Sequence, residues 1–157
     1  MKSIAIFADV QNIYYTTRQE YGRQFNYRKL WQNISEQGDI VEANAYAIHR
    51  GDDKQRQFQN TLNKIGFKIK LKPYIQRSDG SSKGDWDVGM TIDVMETARE
   101  VDTIILLSGD GDFDLLLERI SDSYGVNTEV YGVKALTANS LIEAATTFHA
   151  IDEYLLL

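Results

Sequence analysis

Aspartates stand at three points of this sequence where they can do chemistry together. Asp9 closes an apolar run at residues 3–8. Asp110 and Asp112 lie two apart in Ser108-Gly109-Asp110-Gly111-Asp112-Phe113. Asp85 and Asp87 flank Trp86. Carboxylates gathered in one place repel each other, so such a group is costly without a cation. Mg2+ or Mn2+ removes that cost, and both take oxygen ligands. The competing role for each residue is a helix N-cap, where a carboxylate complements the helix dipole. For one aspartate after one strand the cap is the simpler reading. Three clusters at predicted strand ends or helix starts favour a site. Asp110 and Asp112 are so close in sequence that one of them would reach a shared ion only through water.

The elements that must position these residues follow from periodicity. Runs at 3–8, 42–48, 67–72, 103–107 and 127–131 are short, rich in β-formers or alanine, and bounded by charges or turn residues. Segments 27–35, 53–64, 86–99, 113–124 and 138–147 read as helices. In the third of these Met90, Val94, Met95 and Ala98 recur at three- and four-residue spacing, giving one apolar face. Alternating strands and helices predict a three-layer αβα sandwich around a mostly parallel five-stranded sheet. Right-handed crossovers put the strand C-termini on one edge. Ligands bind there, where strand order reverses, and the first and fourth strands are the natural neighbours at that switch. Asp9 and Asp110 would then converge. Gly66 and Gly125 are placed as helix C-caps. Gly109 and Gly111 would let the backbone turn sharply between strand and helix. Residues 73–83, with Ser78-Asp79-Gly80-Ser81-Ser82, read as a mobile surface loop.

Composition sets the outer limits. A chain of 157 residues with 43% hydrophobic content fits one globular domain, residues 1–157, with a core that needs no staples. There is no cysteine, which excludes disulfides, a thiol nucleophile and thiolate metal sites, and fits a reducing compartment. No apolar run is long enough for a membrane span and the N-terminus lacks the features of a signal peptide, so a cytoplasmic protein is expected. The net charge of −6 is unevenly spread: residues 1–84 hold 14 Lys and Arg against 8 Asp and Glu, whereas residues 85–157 hold 3 against 15. The basic half can meet phosphates while the acidic half binds metal. Equally, the charges can mix in space once folded.

The motifs then carry a resemblance. Asp9-Val10-Gln11-Asn12 resembles the D-x-x-N signature of the NYN domains. Lys83-Gly84-Asp85-Trp86-Asp87, with Asp93 downstream, resembles their K-G-x-x-D helix start, and residues 108–113 resemble their S-G-D-x-D-F motif. Tyr131-Gly132 and the stretch from Leu141 to Phe148 fit their closing strand and helix. The likeness spans nearly the whole chain in order and is greatest to the LabA-like branch. It implies a PIN-like, Rossmannoid fold and divalent-metal cleavage of RNA, single-stranded or structured. Asp9, Asp87, Asp110 and Asp112 become the metal-binding and catalytic acids, and Asn12 orients a carboxylate or contacts substrate. Asp93, about 120° around an ideal helix from Asp87, is either a secondary ligand reaching the site from its edge or a plain exposed residue. Many members carry Ser where Gly111 stands, and the extra Asp114 adds a further carboxylate. Held by these acids, the ion would activate water and neutralise charge on a phosphodiester.

Several residues admit two readings. Lys83, Arg50 and Ser108 are candidate substrate contacts; Lys83 is as readily a solvated lysine. Arg50, Lys54 and Arg56 can form part of an RNA track. Trp86 can stack on a base, but more often such a residue packs inward; Tyr14 and Tyr15 share the ambiguity. His49 and His149 lie far from the motifs, and His49 is more simply structural or exposed. The tail Tyr154-Leu155-Leu156-Leu157 is either a dimer contact with a second copy or a segment folded back on the core. Two rivals oppose the nuclease: a phosphatase or phosphotransferase using Asp9 as nucleophile, whose D-x-D start is broken here by Gln11, and a catalytically weak or inactive adaptor that binds RNA or a protein.

Overall fold

The computed structural model describes the chain apart from residues 50, 74, 77–81, 84 and 85 and the side chains of residues 73, 75, 76, 82 and 83. In chain order it forms β1 (Ser3–Asp9), α1 (Val10–Tyr21), α2 (Tyr27–Ser35), β2 (Asp39–His49), α3 (Asp53–Ile65) and β3 (Lys68–Pro73). Next come the two-residue strands β4 (Ile75–Gln76) and β5 (Ser82–Lys83), then α4 (Asp87–Ala98), β6 (Thr103–Leu107), α5 (Asp114–Tyr124), β7 (Asn127–Gly132), α6 (Asn139–Ala144) and β8 (Thr147–Ala150).

The main sheet has the order β3-β2-β1-β6-β7-β8, and every neighbouring pair is parallel. The αβα architecture is as expected, but with six strands rather than five. The sixth is β8, inside and beyond a stretch read as one helix over 138–147. That helix stops at Ala144, and Thr147 to Ala150 pair with β7. A second departure is α1, which sequence periodicity did not isolate. Most of the 73–83 segment lies outside the described residues, but its ends pair as the antiparallel β4 and β5.

Side chains alternate across β1 as a pleated strand requires. Ile4, Ile6 and Ala8 face a core shared with Ile13 of α1, Leu30 and Ile34 of α2 and Leu62 of α3. Ala5 and Phe7 face the other core, with Met90 and Val94 of α4, Leu117 of α5 and Leu141 of α6. Burial on both faces makes the strand read as an unbroken apolar run. Gly66 and Gly125 close α3 and α5 with φ of 137° and 63°, a backbone that glycine adopts freely. The tail folds back: Leu155 and Leu156 are buried, and Phe25 bridges Leu156. Among the described residues no helix is long and apolar enough to cross a membrane.

The chain lays β1 to β3 on one side of the sheet and β6 to β8 on the other, so strand order reverses between β1 and β6. The expected pairing of the Asp9 and Asp110 strands is therefore present. The strands β1 to β3 come from the basic first half and β6 to β8 from the acidic second, but α4 brings Asp93 of the acidic half onto Lys70 of β3.

Candidate metal centre

Three carboxylates meet at the β1–β6 switch. Asp9 ends β1, Asp87 opens α4 and Asp110 follows β6. Each offers an oxygen, and those oxygens all lie within 4.8 Å of one another. All three side chains are half-buried. With Gln11, Asn12, Tyr15 and Trp86 they line an open cleft of about 240 Å³. A larger hollow, about 460 Å³, is lined by Tyr14, Arg18, Gly22, Arg23, Gln24 and Leu157, and contains none of these acids.

The local sequence explains the convergence. Asp9 is the N-cap of α1, with Oδ1 accepting from the Asn12 backbone N–H at 3.4 Å. Its Oδ2 accepts from the Ser108 hydroxyl at 3.1 Å. Ser108 Oγ accepts in turn from the Asp110 N–H at 3.1 Å, and the Asn12 side-chain carbonyl accepts from the Gly109 N–H at 2.8 Å. Asp110 Oδ1 caps the short helical turn that follows it, accepting from the Asp112 N–H at 2.9 Å. Cap and site are thus one arrangement. Helix N-termini at Asp9, Asp87 and Asp110 place their positive dipole ends against the clustered negative charge.

The donor set fits a hard divalent ion. It is all oxygen, as Mg2+ and Mn2+ prefer. Oxygens on one octahedral Mg2+ stand about 2.9 Å apart when adjacent and about 4.2 Å when opposite, so an ion would draw the three carboxylates closer together.

The remaining residues separate. Asp112 is exposed and outside the trio. Ser108 is fully buried, its hydroxyl donating to Asp9 and accepting from the Asp110 backbone N–H. Asn12 likewise ties α1 to the loop after β6. Trp86 packs inward: its indole N–H donates to the Ala47 carbonyl at 2.8 Å and its ring meets Tyr46 edge-on at 5.4 Å. Tyr14 and Tyr15 are exposed and stand edge-to-face. His49 is exposed, and His149 pairs with Glu129 at 2.7 Å. Arg50, Asp85 and the Lys83 side chain lie outside what the structure describes.

Asp93 is not a member of the cluster. Its Oδ2 accepts from Tyr46 Oη and from Lys70 Nζ, each at 2.6 Å. Sequence reasoning missed this trio. The signal was the β-alternation that puts Tyr46 and Lys70, register partners on β2 and β3, on one face. Burial and the bond to Asp93 both raise the Tyr46 pKa, so the phenol stays a neutral donor. Partial burial opposes charge on Asp93, but the bonds from Lys70 and Tyr46 outweigh it and hold its pKa below the ordinary 3.8. A depressed carboxyl stabilises the fold above its unfolded pKa and loses that contribution as pH falls through the folded value. The wild-type urea midpoint should therefore exceed that of Asp93→Asn at pH 7, with the gap closing below about pH 4. A pH-independent gap would show that ionisation is not its source.

Comparison with known proteins agrees with this fold. The NYN domain family matches residues 3–152, and the chain belongs to that family. It is 30% identical to the low amplitude and bright protein LabA of Synechococcus elongatus, over 73% of this chain and 66% of that protein, just under two thirds of its length. A crystal structure of a Vibrio parahaemolyticus protein of unknown function superposes with a TM-score of 0.95 at 52% identity, covering 99% of this chain and 96% of that one. A carbohydrate kinase from Agrobacterium tumefaciens, 12% identical with a TM-score of 0.51, covers 94% of this chain and 60% of its own, and shares the fold alone.

Proposed function

We propose that this protein is a divalent-metal-dependent ribonuclease that hydrolyses RNA phosphodiester bonds at the Asp9–Asp87–Asp110 cluster. The observation that carries this reading is the convergence of three carboxylate oxygens within 4.8 Å in a chain of the NYN family. Asp9, Asp87 and Asp110 hold Mg2+ or Mn2+. When bound, the ion supplies an activated water and offsets charge developing on the phosphodiester. Ser108 and Asn12 tie together the two loops that present Asp9 and Asp110, so these two carboxylates are oriented before an ion arrives. Asp112, two residues on, would reach that ion only through water. The cysteine-free chain fits the reducing cytoplasm.

The test is metal removal and return. A labelled RNA should stay intact with the protein in chelator, be cut on adding Mn2+ or Mg2+, and stay intact again when chelator is restored. Binding of RNA with no cleavage under any divalent ion would establish the adaptor instead. Rapid turnover of a chromogenic phosphate monoester with RNA intact would establish a phosphatase.

A further inference from the structure

The exposed edge of the sheet on its basic side is β3, which reads Lys68-Ile69-Lys70-Leu71-Lys72 before Pro73. Alternation puts all three lysines on the same face of the strand. Register fixes which face. Lys68, Lys70 and Lys72 pair with Asn44, Tyr46 and Ile48 of β2, and Tyr46 pairs with Asp9 of β1. Paired residues of parallel strands point the same way, so the lysines lie on the side of Asp9, Tyr46 and α4. Two strand spacings separate Lys70 from Asp9, about 10 Å. Lys72 is nearest the cleft: its Nζ lies 5.3 Å from the centre of the Trp86 ring, and Trp86 and Ile48 both line the cleft. Lys68, at the far end, is exposed. Lys70, between them, is held by Asp93 at 2.6 Å.

Building on the proposed nuclease reading, we propose that Lys68, Lys70 and Lys72 form a phosphate track that guides an extended single strand of RNA along the β3 edge to the acidic cleft. Residues two apart in a strand are about 6.6 Å apart, close to the separation of successive phosphates in an extended strand. A straight line of cations on one edge suits one backbone rather than the two of a duplex. The track also solves an electrostatic problem. A cleft of three carboxylates repels a polyanion, and a neighbouring row of lysines supplies the attraction that brings it in. Asp93 holds Lys70 in line and Trp86 holds Lys72, so the cations are positioned before a strand arrives.

Lysines on a sheet edge have another use, which is to discourage edge-to-edge association. The experiment separates the two. Lys68→Gln with Lys72→Gln removes two charges and leaves the Lys70–Asp93 pair intact. Affinity for a fluorescein-labelled oligouridylate of about twelve nucleotides is measured in chelator across a salt series, so that no cleavage interferes. Each phosphate contact to a single strand contributes about 0.7 to the slope of log K against log salt. The double variant should show a slope shallower by about 1.4 and, at about 0.1 M salt, affinity roughly 25-fold weaker. Thermal unfolding confirms that the variant is folded. Unchanged affinity and slope overturn the track, whether or not the variant associates with itself, and leave the nuclease reading standing if the wild type cuts RNA. Salt-sensitive binding lost in the variant, with no cleavage by the wild type, supports the track and removes the nuclease. A wild type that neither binds nor cuts overturns both.

Discussion

Asp110→Asn is expected to reduce metal-dependent RNA cleavage by about three orders of magnitude, equivalent to roughly 4 kcal/mol of barrier. The argument begins with what the substitution preserves. Asp110 Oδ1 caps the turn at residues 111–113 by accepting from the Asp112 N–H, and asparagine caps about as well as aspartate. The Asp110 backbone N–H still donates to Ser108. Removing one of three mutually repelling charges costs the metal-free fold nothing and should raise its melting temperature slightly. What is lost is one anionic oxygen from the trio. Added Mn2+ should therefore raise the melting temperature of the wild type more than that of the variant, because a ligand stabilises in proportion to how tightly the folded state binds it. Asp112→Asn supplies the contrast. It changes a carboxylate of the same motif that lies outside the cluster, and should lower cleavage by about 10- to 100-fold, as changes to outer-shell partners of a metal do. Equal losses in the two variants would place the ion further along the loop than the trio suggests.

Much of this site was legible in the sequence because each acid is tied to a strand end or a helix start, and those are set by local pattern. Asp9 follows a fully apolar run, Asp110 follows another, and the alternation of elements dictates that the two runs become neighbours. What stayed hidden depends on tertiary packing. The apolar face of α1 is only Val10, Ile13 and Thr17, among buried residues, in a mostly polar segment, so periodicity was too weak to mark it. β8 escaped because Thr147 to Ala150 follow a helix directly and gain strand form only by pairing with β7. Asp93 reads as a secondary ligand only from the motif resemblance and from the helix it shares with Asp87. Its partners Tyr46 and Lys70 come from two other strands that no local signal connects to it. The burial of Ser108 and its bond to Asp9 are likewise set by packing across β1 and β6, which the motif alone does not convey. The two glycines of the motif were read for backbone freedom. Neither has a positive φ; what they supply is room.

That room yields the second large effect. A Cβ on Gly109 would stand 2.8 Å from the Leu136 carbonyl oxygen and 3.2 Å from the Thr137 Cα. Both are backbone atoms, which cannot swing aside as a side chain can. Gly109 is also bonded on both sides, its N–H to Asn12 and its carbonyl to the Ala138 N–H at 3.1 Å. Gly109→Ala must therefore displace the loop between β6 and α5, at a cost of about 1–3 kcal/mol, as overpacking usually brings. The loop carries Asp110, and a shift approaching 1 Å at a reacting centre can cost about a hundredfold in rate. The variant should lose both stability and most of its metal-dependent cleavage. At Gly111 the same atom would meet the Ala138 Cβ at 2.9 Å, with the Ser140 Oγ next at 3.4 Å. Gly111 is less tightly enclosed than Gly109, so Gly111→Ala should be the milder change. Gly125→Ala completes the comparison. Its φ of 63° strains any other residue, yet no atom lies within 4 Å of the added carbon and the position caps α5 far along the chain from the acids. It should cost about 1–2 kcal/mol with cleavage by the folded protein retained. Stability lost alike at Gly109 and Gly125, with cleavage lost only at Gly109, would tie activity to the placement of Asp110. Full cleavage by Gly109→Ala would mean that the loop tolerates displacement, and that the trio is not held as tightly as its hydrogen bonds imply.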